Sequence, residues 1–119
     1  MFLQLAHTKL EVYITSRALI LEAYKISRQF PDLEKFGLIT QIRRAALSIH
    51  LNLAEGCSRK STVERKRYFE ISRGSVIEVD TAIGVSYDLN YTKMEQIKPL
   101  GDLIIQTFKL LTGMIDEKS

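Results

Sequence analysis

The sequence predicts an all-α protein, an antiparallel up-down-up-down four-helix bundle, on three observations. Apolar residues recur at three- and four-residue steps along four long segments, no strand-like alternation of useful length occurs, and only two prolines and six glycines interrupt 119 residues. A chain of this length with 45% hydrophobic residues is expected to form a single four-helix-bundle domain over residues 1–119, burying roughly two-thirds of its unfolded surface.

The first helix is predicted from about Thr8 to Gln29, ending before Phe30-Pro31 because proline restricts the residue ahead of it. Leu10, Ile14 and Leu21 form one apolar row on it, and Tyr13, Ile20 and Tyr24 form the neighbouring row. Residues Pro31 to Gly37 read as a connector with room for one short helical turn. The second helix, Leu38 to Cys57, carries Leu38, Ile42, Ala45, Ala46, Ile49 and Leu53 on one face, which belongs in the core. Leu47, Leu51 and Ala54 make a second apolar strip on roughly the opposite side. Burial of that strip in an oligomer interface is one reading, and scattered surface apolars are the other.

Gly56 permits a left-handed turn closing this helix, and Ser61-Thr62-Val63-Glu64 fits a capping box for the next. The third helix then extends to about Asn90, with a wide core arc of Tyr68, Phe69, Ile71, Val76, Val79, Ala82, Ile83 and Tyr87. Gly74 sits mid-helix at a cost of about 1 kcal/mol relative to alanine, which close approach of a neighbouring helix would offset. In the fourth helix, about Lys93 to Asp116, a heptad seam is predicted through Met94, Ile97, Gly101, Ile104, Phe108, Leu111 and Ile115. Short connections make successive helices antiparallel.

The fragments Tyr24-Lys25, Phe30-Pro31, Gly37-Leu38, Gln41-Ile42-Arg43-Arg44-Ala45-Ala46, Ser48-Ile49, Asn52 through Glu55-Gly56, and Arg73-Gly74-Ser75 with Glu78 occur in this order along most of the chain. Together they resemble the bacterial four-helix-bundle family of proteins encoded within 23S rRNA intervening sequences, the S23-like ribosomal protein family. The resemblance implies a compact bundle that assembles as a homopentameric ring. It also implies a likeness in fold to the accessory protein of diversity-generating retroelements, which works with a reverse transcriptase. The sequence departs from the family pattern at His50-Leu51, where proline and a small polar residue commonly follow Ser-Ile, and near Ser58, where a glycine is often found. The first departure argues against a proline kink and enlarges the second apolar strip. The second puts the family's loop geometry before Arg59 in doubt.

Net charge is only +3, but Arg59, Lys60, Arg65, Lys66 and Arg67 crowd one helix junction. They are candidate nucleic-acid-binding residues acting on phosphate without base reading, or alternatively a solvated helix start balanced by Glu64 and Glu70. Arg43 and Arg44 point about 100° apart on a helix, so each needs its own partner. Arg44 falls in line with Ser48, Leu51 and Glu55, which makes Arg44, Leu47, Leu51, Ala54 and Glu55 the candidate oligomer-interface residues. There Arg44 would pair with a carboxylate such as Glu55 or Glu78, or contact phosphate instead.

No catalytic residue, metal ligand or cofactor is expected. Glu55, Glu78 and Asp80 lack a matching nucleophile, His7 and His50 fall in no metal-ligand spacing, and the single Cys57 has neither a CxxC partner nor a disulfide mate. The N-terminal MFLQLAHTKL lacks the pattern of a signal peptide and the apolar clusters are broken by charges, so a soluble cytoplasmic protein without membrane contact is expected. The function expected is that of a non-enzymatic oligomeric scaffold or binding protein contacting RNA, DNA or a nucleic-acid-processing protein through basic surface residues. The alternative is a protein-interaction module that binds an acidic protein partner.

Overall fold

Four helices carry the fold: α1 (Glu11–Ser27), α2 (Leu38–Ser58), α3 (Thr62–Asp88) and α4 (Met94–Asp116), with 3-10 turns at Ala6–Lys9 and Asp32–Glu34. The structure, a computed structural model, describes residues 1–117. Each of the last three helices starts at a side-chain cap. A carboxylate oxygen of Glu34 accepts from the Leu38 amide at 3.3 Å, the Ser61 hydroxyl accepts from the Glu64 amide at 3.3 Å, and the Gln96 side chain accepts from the Lys93 amide at 2.8 Å.

Contacts between consecutive helices run in opposite senses, as the short connections require. Ser16 meets His50 and Ser27 meets Arg43 between α1 and α2, while Ser75 meets Ser48 and Phe69 meets Gly56 between α3 and α2. Between α3 and α4, Lys66 reaches the Glu117 carbonyl and Arg73 reaches Thr112. A Gln106–Glu11 bond ties α4 to α1 and completes the bundle.

The core stripe of α2 is the one its apolar pattern predicts, with Ile42, Ala45, Ala46, Ile49 and Leu53 buried. The other three helices are rotated relative to their apolar rows. On α1 the buried positions are Val12, Thr15, Ser16, Leu19, Ala23, Ile26 and Ser27, while Leu10, Ile14 and Leu21 face outward. On α3, Ile71 and Tyr87 leave the predicted arc for the surface, and Ser72, Ser75 and Ser86 enter the interior. On α4 the seam runs through Ile97, Leu100, Ile104, Thr107 and Leu111, so Met94 and Phe108 of the predicted seam are exposed.

Buried hydroxyls explain this rotation on α1 and α3, whereas on α4 the Thr107 hydroxyl is buried without a hydrogen-bond partner. In a helix a serine or threonine can donate to the carbonyl one turn back, so it enters an apolar core without leaving an unpaired donor. Thr15, Ser16, Ser27 and Ser86 bond the carbonyls of Val12, Tyr13, Tyr24 and Ile83 at 3.2, 3.1, 3.1 and 2.7 Å. Ser72 instead crosses between helices to the Ile49 carbonyl at 2.7 Å.

The glycines correct two expectations. Gly56 is buried within α2 and no glycine among the described residues has positive φ, so its role is not a left-handed cap. A Cβ there would lie 2.6 Å from the Phe69 ring, so α3 can close on α2 only because this side chain is absent. Gly74, by contrast, has nothing within 4 Å of an added Cβ, and no neighbouring helix packs against it.

Candidate functional site

The basic corner between α2 and α3 is built partly for structure. Arg59, the residue after α2, pairs with Glu55 at 2.9 Å, donates to the Tyr68 hydroxyl at 3.2 Å and stacks over that ring at 5.0 Å. Arg65 donates to the carbonyls of Cys57 at 2.8 Å and Arg59 at 3.1 Å, filling acceptors that the end of α2 leaves open. Lys66 is bonded to the Glu117 carbonyl. Lys60 and Arg67 are exposed and form no ion pair among the described residues. Thus the five sequence neighbours turn to different surroundings: Arg59 and Arg65 hold the turn closed, Lys66 reaches the end of α4, and Lys60 and Arg67 stay exposed.

The α2 strip lies where its spacing predicts, on the outside. Leu47 is exposed, Leu51 is 54% exposed and Ala54 is half-buried beside them. Arg44 is exposed and overlooks a shallow groove lined by Gln41, Ser48, Ile71, Ser75 and Glu78. It forms no ion pair within the chain among the described residues, because Glu55 is taken by Arg59 and Glu78 stays beyond 4.0 Å. An intrachain Arg44 pair with either carboxylate is therefore absent there. Arg43 turns the other way, donating from Nε to Ser27 Oγ at 2.9 Å and lying 4.7 Å from the centre of the Tyr24 ring.

The model of the 23S rRNA-intervening sequence protein family matches residues 8–113, spanning all four helices short of the last residues of α4. The chain belongs to this family. A crystal structure of a protein of unknown function from the S23 ribosomal protein family of Bacteroides thetaiotaomicron is similar to it with a TM-score of 0.82. The two share 19% identity over 89% of this chain and 99% of that chain, a likeness that supports the fold alone. A search of curated proteins gives no match.

In this family member no group of three or more His, Cys, Asp and Glu side chains among the described residues could hold a metal ion, and no described helix is long and apolar enough to cross a membrane. Perturbed ionisable groups serve packing. His50 stacks on Tyr13 at 4.3 Å and its Nδ1 lies 2.7 Å from Ser16 Oγ, while burial, aided by Arg17 and His7, holds its pKa below the usual 6.5. Burial raises the Cys57 thiol, opposed by Arg65, which disfavours the reactive thiolate. Tyr91 donates to Glu34 at 2.8 Å, and this bond raises its pKa.

Sequence periodicity did not reveal the His50–Ser16, Arg43–Tyr24 or Glu34–Tyr91 contacts. A partial signal exists for the second, since Tyr24 and Arg43 both stand in the fragments that carry the family resemblance.

Proposed function

We propose that the protein is a non-enzymatic scaffold that associates with copies of itself through the outer strip of α2 and contacts nucleic acid or a nucleoprotein partner at the basic α2–α3 corner. The observation that carries this reading is the continuity of the two features: one outer line of α2 bears Arg44, Leu47, Leu51, Ala54 and Glu55 and runs directly into Arg59 and Lys60. Self-association along that line would gather several basic corners. Weak contacts from single corners then add along a strand long enough to touch more than one. Because Arg59 and Arg65 hold the turn and Lys66 is bonded to the Glu117 carbonyl, Lys60 and Arg67 supply the most adaptable charge, with Lys66 able to join on releasing that bond, and docking is to phosphate rather than to base edges.

Native mass spectrometry at micromolar subunit concentration tests assembly. The wild type should be oligomeric, with a pentamer the family-based expectation, and Leu51→Glu should give a smaller species because burial would strip an unpaired charge of its water. A monomeric wild type overturns the assembly reading. Fluorescence anisotropy with RNA and single-stranded DNA across a salt series tests the corner. Replacing Lys60, Lys66 and Arg67 with Gln should weaken both similarly and flatten the salt dependence at constant oligomer size. No binding by the intact oligomer at low salt would leave an acidic protein as the better partner.

A further inference from the structure

The chain ahead of α1 packs against the end of α2 and leaves a cleft between the two. Leu5, Ala6 and Leu10 form one wall, and Cys57, Ser58 and Arg65 form the other. Its volume of about 490 Å³ falls within the range of roughly 300–1,000 Å³ found for sites that hold small organic groups. The first wall is fastened rather than trailing. The Thr8 hydroxyl donates to the Leu5 carbonyl at 2.7 Å, the Leu10 amide donates to the His7 carbonyl at 3.1 Å, and the His7 ring meets the Tyr13 ring edge-on at 5.4 Å.

The lining suits a flat ring with apolar faces and a polar edge. Leu5 and Leu10 are 46% and 40% exposed, so both keep apolar surface open, and burial holds the Cys57 thiol uncharged opposite them. The His7 ring and the Ser58 hydroxyl add polar atoms to the lining, so the edge of a bound ring need not lose its hydrogen bonds. Arg65 donates to the carbonyls of Cys57 and Arg59, which fixes its guanidinium as a preset plane of the kind on which an unstacked base lies. Phe2 is 90% exposed and three residues ahead of Leu5, no more than about 11 Å of chain away, so a further stacking ring is within reach. Lys60 directly follows the residue whose carbonyl Arg65 holds, is exposed, and has no ion pair among the described residues, leaving a cation free for phosphate near the cleft.

We infer that the ligand of the basic corner is a single-stranded nucleic acid, one unpaired base of which enters the cleft between residues 5–10 and the end of α2 while Lys60 takes an adjoining phosphate. In a duplex the base faces are covered by their stacked neighbours, so the cleft rejects paired bases. Stacking engages a face that every base has, and the contact is sequence-tolerant. This inference rests on the nucleic-acid reading and deepens it, adding base faces to the phosphate contacts.

Three probes of equal length, about 12 nucleotides, separate the terms in fluorescence anisotropy at low salt: a single strand of RNA, the same strand paired in a duplex, and an abasic strand that keeps only sugar and phosphate. The single strand should bind about tenfold more tightly than either of the others. Docking to phosphate alone would favour the duplex instead, because its charge density is higher. Leu5→Ser removes apolar wall without changing charge, and should bring the single strand down to the affinity of the abasic strand while leaving the abasic strand unaffected. Lys60→Gln should weaken all three probes. Circular dichroism confirms that the variants are folded, and should Leu5→Ser lose its helices, Ala6→Trp, which fills the cleft from an exposed position, replaces it. Equal binding of the three probes, tighter binding of the duplex, or a single-strand affinity that folded cleft variants leave unchanged overturns the base cleft and leaves phosphate docking standing. No binding of any probe overturns both.

Discussion

The α2–α3 seam and the α3–α4 groove share one helix, but the first is closed and the second open. Along the seam α2 presents Ala45, Ser48 and Gly56, and α3 answers with Phe69, Ser72 and Ser75. The Phe69 ring occupies the space above Gly56, and hydroxyls cross at 2.7 Å from Ser72 to the Ile49 carbonyl and 2.9 Å from Ser75 to Ser48. Along the groove Gly84 and Gly101 create similar room, but no side chain fills it and Ile105 and Phe108 lean outward. A small residue brings helices together only when its neighbour uses the space.

The sharpest way to break this contrast is Gly56→Ala. The added methyl would meet a packed aromatic ring, and overpacking of this kind costs about 1–3 kcal/mol. Denaturant unfolding at fixed subunit concentration reads the loss, and an unchanged midpoint would mean that the seam is looser than it looks. Gly74→Ala and Gly84→Ala should act in the opposite direction. With open space around both, alanine restricts the unfolded chain and stabilises by about 0.4–1 kcal/mol each. Thermal unfolding gives the sign, and destabilisation by Gly74→Ala would restore the close approach anticipated from sequence.

A smaller effect belongs to the α1–α2 contact at His50. Its folded pKa lies below 6.5, so the native state favours the neutral ring. Stability is then fully present above about pH 6.5, the unfolded value, and declines as pH falls from there through the folded pKa. Denaturant midpoints measured between neutral and acid pH should show this decline, and His50→Gln should flatten it in that window. An identical pH profile for the variant would assign the acid loss to other groups.

The four helices were legible because their lengths and ends depend on local signals: the first ends short of Phe30-Pro31, Ser61 caps the third, and bounds fall within a few residues of expectation. The facing of α2 was legible too, since its buried stripe is wholly apolar apart from glycine. On α1, α3 and α4 hydropathy misled. Ser16 and Ser72 are fully buried while Leu21 is exposed, and a pattern of apolar residues cannot register a hydroxyl satisfied by a carbonyl; on α4, Thr107 is buried with no partner for its hydroxyl while Ile105 is exposed. The outward position of Leu47 and Leu51 followed from helical spacing relative to the core stripe. The engagement of Arg59 and Arg65 did not, because it depends on how the turn after Ser58 folds back and which carbonyls it leaves unpaired.

At the end of the bundle where α1 passes to α2 and α3 passes to α4, the two oxygens of Glu34 serve different parts of the chain, one accepting from the Leu38 amide and the other from the Tyr91 hydroxyl. Neither connector can swing away without releasing a bond anchored on the other. Their fluctuations therefore belong to one cooperative opening unit, although 57 positions separate Glu34 from Tyr91. In hydrogen-exchange terms, the start of α2 and the turn before α4 should open together, tied by one carboxylate and by the Phe30–Tyr91 ring contact at 5.8 Å.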